Sequence, residues 1–161
     1  MKYTLNVGCG DRTFEEYPPG YKCINYDQRK LSKVDEVGDV KDLSRYPDEH
    51  FNYIFASDII EHFPITQTKK ILTEWKRVLM VGGIMEFRMP NLMTICKKYV
   101  NREYDAKLTS WLLYGGQEYP GNFHYVGFDR AFFNTVILPL GFKEIEYKDA
   151  DNNFEIKFQK L

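Results

Sequence analysis

Short apolar runs alternate along this chain with stretches that are apolar on one helical face only. Tyr3, Leu5 and Val7 suit a short strand, which Gly8-Cys9-Gly10 breaks with two residues of wide backbone freedom. Tyr21 to Tyr26 predicts a second strand with Asp27 at its end, and Val34-Asp35-Glu36-Val37 a short third. Phe51 to Ala56 is a fourth, apolar enough for burial on both faces. After Pro64, Thr66 is expected to cap a helix whose Ile71, Leu72, Trp75, Val78 and Leu79 share one face, with Gly82-Gly83 ending it. Ile84 to Met89 is the fifth strand.

Three more helices follow from capping residues. Asn91 precedes Leu92, Ile95, Cys96 and Tyr99; Asp105 precedes Leu108, Trp111 and Leu112; Asp129 precedes Phe132, Phe133, Val136 and Ile137. Gly115 to Gly127 reads as a long loop, rich in glycine and aromatics. Ile145 and Tyr147, then Phe154, Ile156 and Phe158, alternate with charges on either side of a polar turn, which predicts a hairpin with one wet face. Strands alternating with helices, then a hairpin, imply a doubly wound, Rossmann-like α/β sheet. It should be mostly parallel with an antiparallel C-terminal strand. No repeat or linker divides residues 1–161, so a single domain is expected. Only Thr13 to Tyr17 precede Pro18-Pro19, room for a shortened first helix of about one turn.

A strand entering a glycine turn lets a ligand lie against bare backbone. Asp27, at the end of the second strand, is placed to accept hydrogen bonds from ribose hydroxyls. Ser57-Asp58, at the carboxyl end of the fourth strand, faces the crevice where open sheets bind ligands.

Asn6-Val7-Gly8-Cys9-Gly10, Asp27, Phe51 to Ser57, Glu61-His62 and Arg77 to Gly83 fall in an order that resembles the class I S-adenosylmethionine-dependent methyltransferases. Gly115-Gly116-Gln117 and His124 resemble a compact, small-molecule branch of that family. The resemblance implies donor contacts from Asn6, Gly8, Cys9, Gly10, Asp27, Gln28, Val40, Asp42 and Ser57. Val40 and Asp42 read equally well as part of a solvated polar loop. Asn6 stands where an acidic residue is common in the family, and Arg12 where a third glycine is common.

Alignment supplies most of the rate of methyl transfer, and a base is needed only when the acceptor carries a proton to lose. Catalytic candidates are His62 and His124, with Glu61, Gly116 and Gln117 toward the acceptor. His62 reads alternatively as a structural histidine closing the donor pocket, and the Gly115 loop as a helix cap followed by surface loop. The implied activity is transfer from S-adenosylmethionine to a hydroxyl or amine of a small polar acceptor, plausibly a sugar. A DNA or RNA base methylase and a non-catalytic donor-binding protein are the alternatives.

Composition narrows these. Twenty-two basic against 23 acidic residues leave no electrostatic footprint for nucleic acid or an anionic membrane. The three cysteines, Cys9, Cys23 and Cys96, show no CxxC spacing and read as free thiols of a reducing, cytoplasmic setting. The chain enters its first strand at once, with no signal peptide or membrane helix expected. Histidines 50, 62 and 124 show no ligand spacing, so no metal is expected.

Overall fold

The computed structural model describes residues 1–119 and 121–161. Seven strands form one sheet: β1 Lys2–Val7, β2 Tyr21–Asp27, β3 Glu36–Val37, β4 Phe51–Ser57, β5 Leu79–Pro90, β6 Phe142–Ala150 and β7 Asn153–Lys160. Their order across the sheet is β3-β2-β1-β4-β5-β7-β6. The first five run parallel, whereas β7 is antiparallel to both β5 and β6. The order reverses between β1 and β4, so a crevice opens at their carboxyl ends. The helices are α1 Ile65–Val78, α2 Leu92–Val100, α3 Ala106–Tyr114 and α4 Arg130–Ile137, with 3-10 turns at Ile60–His62 and Leu138–Leu140.

Alternation explains which side chains close the core. Leu5, Val7, Ile54, Phe87, Phe154, Ile156 and Phe158 are fully buried, and α1 lays Ile71, Leu72, Trp75 and Val78 onto them. Trp75 satisfies its indole by donating to the Val40 carbonyl at 2.7 Å, which pins the β3–β4 connection to α1. The β6–β7 hairpin is as expected, with β6 the wet edge. None of the described helices is long and apolar enough to cross a membrane.

Four expectations are corrected. There is no first helix; Thr13–Tyr17 runs extended, with Glu16 bridged to Lys22. Phe14 and Tyr17 instead press their rings against Phe55, at 5.7 and 4.7 Å between centroids, and two prolines forbid further winding. Thr66 is not a cap; α1 starts at Ile65, two residues earlier than a cap at Thr66 would place it, with Pro64 in the cap position. Gly82-Gly83 does not end that helix, because Leu79 already pairs with Phe51, and an irregularity in the ladder absorbs the residues before Ile84. The third strand shrinks to Glu36–Val37. Asn91, Asp105 and Asp129 do cap α2, α3 and α4, accepting from the amides of Thr94, Leu108 and Phe132. Of the apolar faces predicted there, Cys96, Tyr99, Leu108 and Trp111 are exposed.

Candidate active site

β1 ends at Val7, and Gly8 turns the chain with φ +62°. A Cβ on Gly8 would sit 2.6 Å from the Ile59 side chain, so the backbone here stays bare. The turn is tied to β2 twice. The Cys9 amide donates to the Tyr26 carbonyl at 3.1 Å, and the Gly10 amide to Asp27 Oδ2 at 2.8 Å. Asp27 Oδ1 accepts from the Arg29 amide at 2.8 Å and pairs with its guanidinium at 3.2 Å. One bond on Oδ2 leaves that oxygen a lone pair for a ligand hydroxyl.

These residues wall a cavity of about 220 Å³ with Gly8, Asp27, Gln28, Asp39, Val40 and Phe63 on its lining. A second cavity of about 400 Å³ lies beside it, lined by Arg88, Trp111, Gly116, Asn122, His124 and Asn153 among others. Asp58, His62 and Tyr119 belong to both walls. Asp58 fixes the partition. Its carboxylate receives Arg88 from β5, Ser57 at 2.8 Å and Asn153 of β7 at 2.8 Å.

Behind the partition stand Glu61 and His62 on the 3-10 turn, and His124 on the Gly115–Phe128 loop. The Tyr125 amide donates to the Glu61 carbonyl at 2.8 Å, which holds loop and turn together. The two imidazoles meet edge to face with centroids 4.8 Å apart. His124 Nδ1 lies 3.2 Å from the Leu112 carbonyl, which puts its proton there and leaves Nε2 with a lone pair. Burial, and for His62 the neighbouring His124, holds both histidines below the usual imidazole range. Burial, reinforced by Asp58, pushes the Glu61 carboxyl up to about 8. Among the described residues, no hydrogen bond reaches either of its oxygens or His62 Nδ1.

Of the residues singled out in the sequence, Gly8, Asp27, Gln28 and Val40 line the first cavity, and Gly116 and His124 the second, with His62 on both. The rest sit elsewhere. Asn6 is buried, donating to the Arg12 carbonyl and to Asn25, and so holds the glycine turn from behind. Gly10 stands one step back, bound to Asp27. Cys9 is buried with its thiol pushed up to about 12, first by burial and then by Asp27. Asp42 is turned away, capping the Ser44 amide on the α1 side, and Asp39 takes its place in the lining. Ser57 is taken up by Arg12 and Asp58. Glu61 is sealed behind His62 rather than open to the acceptor side. Gln117, at φ +62°, folds back on the Tyr114 carbonyl. Although the three histidines show no ligand spacing in the sequence, the fold brings one ligand atom each from Glu61, His62 and His124 within 4.8 Å of one another.

Sequence reasoning missed Asp39, Arg88, Trp111 and Asn153. Arg88 had a signal, being a lone cation inside an apolar strand. Asn153 had none, since only the β5–β7 pairing carries it to Asp58.

The first wall suits a nucleoside sulfonium. It offers bare backbone at Gly8, an acceptor at Asp27 for ribose, and the Phe63 and Tyr119 rings, whose faces attract a cation. Residues 5–87, about half of the chain, match the family described as methyltransferase domain. No curated protein matches the chain. Among solved structures, a SAM-dependent methyltransferase from Archaeoglobus fulgidus is 14% identical, with 99% of this chain and 86% of that one aligned at a TM-score of 0.68. One from Methanosarcina mazei is 17% identical over 99% and 92%, at 0.70. The 1,6-didemethyltoxoflavin-N1-methyltransferase of Burkholderia thailandensis, with bound 1,6-didemethyltoxoflavin and S-adenosylhomocysteine, is 12% identical over 99% and 71%, at 0.70. At such identities these likenesses speak for the fold. The family match, on a fold and a cavity that agree with it, means that this chain belongs to the methyltransferase domain family and is an S-adenosylmethionine-dependent methyltransferase.

Proposed function

We propose that the acceptor is a small polar molecule methylated on a hydroxyl, with a sugar as the best fit. The observation that carries this is the character of the second cavity. Two aromatic residues, Trp111 and Tyr119, stand among Arg88, Asn122, His124 and Asn153, whose side chains retain hydrogen-bonding groups beyond their bonds to Asp58 and Glu118. A flat ring surrounded by polar groups suits a molecule with apolar C–H faces and an equatorial fringe of hydroxyls. The Burkholderia thailandensis enzyme, bound to a small molecule, supports the size class.

The donor supplies an electrophilic methyl carbon on sulfonium; the protein's share is position and proton. Asp27 and Gly8 hold the nucleoside end, and Asp58 and Tyr119 stand where the two cavities meet. A hydroxyl must lose its proton as it reacts. The histidine pair, neutral because it is buried, offers lone pairs at the partition for that purpose. A net charge of −1 weighs against nucleic acid as acceptor.

The test is label transfer from isotopic S-adenosylmethionine to a panel of monosaccharides, nucleotide sugars, small amines and DNA and RNA oligonucleotides. Label on a sugar hydroxyl is the expected result. Label found only on oligonucleotides or amines overturns the reading.

A further inference from the structure

Glu61 presents an unusual difficulty. Its carboxyl group is fully sealed from solvent, and both oxygens lack a partner. Protonation would remove the charge but would still leave a hydroxyl and a carbonyl oxygen unbonded, in a place where unmade hydrogen bonds are costly. His62 Nδ1 beside it is also buried and unpartnered. The Leu112 carbonyl holds His124 Nδ1, so Nε2 is the nitrogen left to bind a ligand. One ligand atom from each of the two imidazoles and the carboxylate falls within 4.8 Å of the other two.

We propose that Glu61, His62 and His124 bind a divalent transition-metal ion, of which zinc is the best-matched member, with its open position toward the acceptor cavity. A single cation can take all three groups as ligands at one centre, and it lets Glu61 stay charged where it is buried. Two imidazoles, one carboxylate and a vacant fourth position form the donor set of catalytic zinc sites. Imidazole ligands disfavour magnesium and calcium. The Leu112 carbonyl is the outer partner that metal-bound histidines commonly hold, fixing ring and tautomer. Tetrahedral coordination puts ligand atoms about 3.4 Å apart, so the trio, all within 4.8 Å, would close by about 1.4 Å at most. The 3-10 turn and the loop can accommodate that, since each contributes separately to the cluster. An ion reaches the place through the acceptor cavity, which both histidines line.

The proposal rests on the acceptor reading above and changes one part of it: with their lone pairs on the ion, the histidines would act through the metal and not take the proton themselves. A hydroxyl oxygen bound there would be more acidic and would give its proton to solvent as it turned nucleophilic. The ion also orients that oxygen toward the partition shared with the donor cavity.

The experiment is metal binding, read independently of turnover. Full-length protein is stripped with a chelator and titrated with zinc by calorimetry, then with cobalt, whose visible absorption reports tetrahedral nitrogen and oxygen ligands. Stoichiometric binding is expected, together with a loss of about a hundredfold or more in affinity in His124→Ala and in Glu61→Gln. S-adenosylhomocysteine affinity and thermal unfolding of the stripped proteins are measured alongside; little change in either excludes misfolding as the cause. Absence of zinc and cobalt binding, or binding that survives both substitutions, overturns the site. Failure to bind S-adenosylhomocysteine would instead strike the donor reading, so the two failures stay distinct.

Discussion

The donor half and the acceptor half of this molecule are built by different means. Around Gly8, Asp27 and Val40 the wall is anchored by local main-chain geometry: a glycine turn and strand ends, with the Gly10 and Arg29 amides fixed by Asp27. Around Arg88, Trp111, His124 and Asn153 it is side chain, drawn from β5, α3, the long loop and β7. Backbone geometry is tolerant of residue identity, whereas a side-chain wall changes with every substitution. A fold can therefore keep one donor while its acceptor drifts.

His124→Ala tests this contrast most strongly. It should reduce turnover by about a hundredfold or more while donor affinity stays within about twofold, because its contacts lie on the acceptor side. Methyl-transfer rates set against calorimetry of S-adenosylhomocysteine measure both, and a parallel loss of affinity would break the division into halves. Asp27→Ala comes next. Removing a buried acceptor that serves Gly10, Arg29 and the ribose should weaken donor binding by about 1.5–3 kcal/mol, roughly tenfold to a hundredfold. An unchanged titration would remove Asp27 from the donor wall.

A chemical probe sharpens the comparison. Cys9 and Cys23 lie in the donor half, buried, with thiols pushed up to about 12, each chiefly by burial. Cys96, on α2, is exposed. At mildly alkaline pH an alkylating reagent should modify Cys96 alone in the native protein, and all three after unfolding. Native labelling of Cys9, followed by mass spectrometry, would show the glycine turn to be looser than its hydrogen bonds indicate. The smallest effect is expected at Asp42. Its carboxylate caps the Ser44 amide away from the cavity, so Asp42→Ala should leave donor affinity unchanged and Asp39→Ala should not.

The same contrast explains what the sequence made legible. Strands, caps at Asn91, Asp105 and Asp129, and the glycine turn are local: each announces itself within a few residues. Asp27's place on the cavity wall was readable because it follows from its position at a strand end. Asn6 looked like a ligand contact, since nothing in the sequence shows that Asn25 and the Arg12 carbonyl would claim its amide. Asp42 and Asp39 differ only in which way the loop turns. The acceptor side was least legible, because Asn153 reaches Asp58 across 95 positions and His124 reaches His62 across a folded loop. Glu61 showed its neighbour His62 but not its burial. Spacing alone could not bring the three together.

Tyr119 has one more consequence. Its residue forms part of both cavity walls, and its ring lies 5.4 Å from the Arg29 guanidinium that pairs with Asp27. Two rooms that share a wall share its displacements. A ligand that displaces Tyr119 from one side alters the other. Occupants of the two cavities should therefore bind with unequal affinities singly and together, which calorimetry of one in the presence of the other measures.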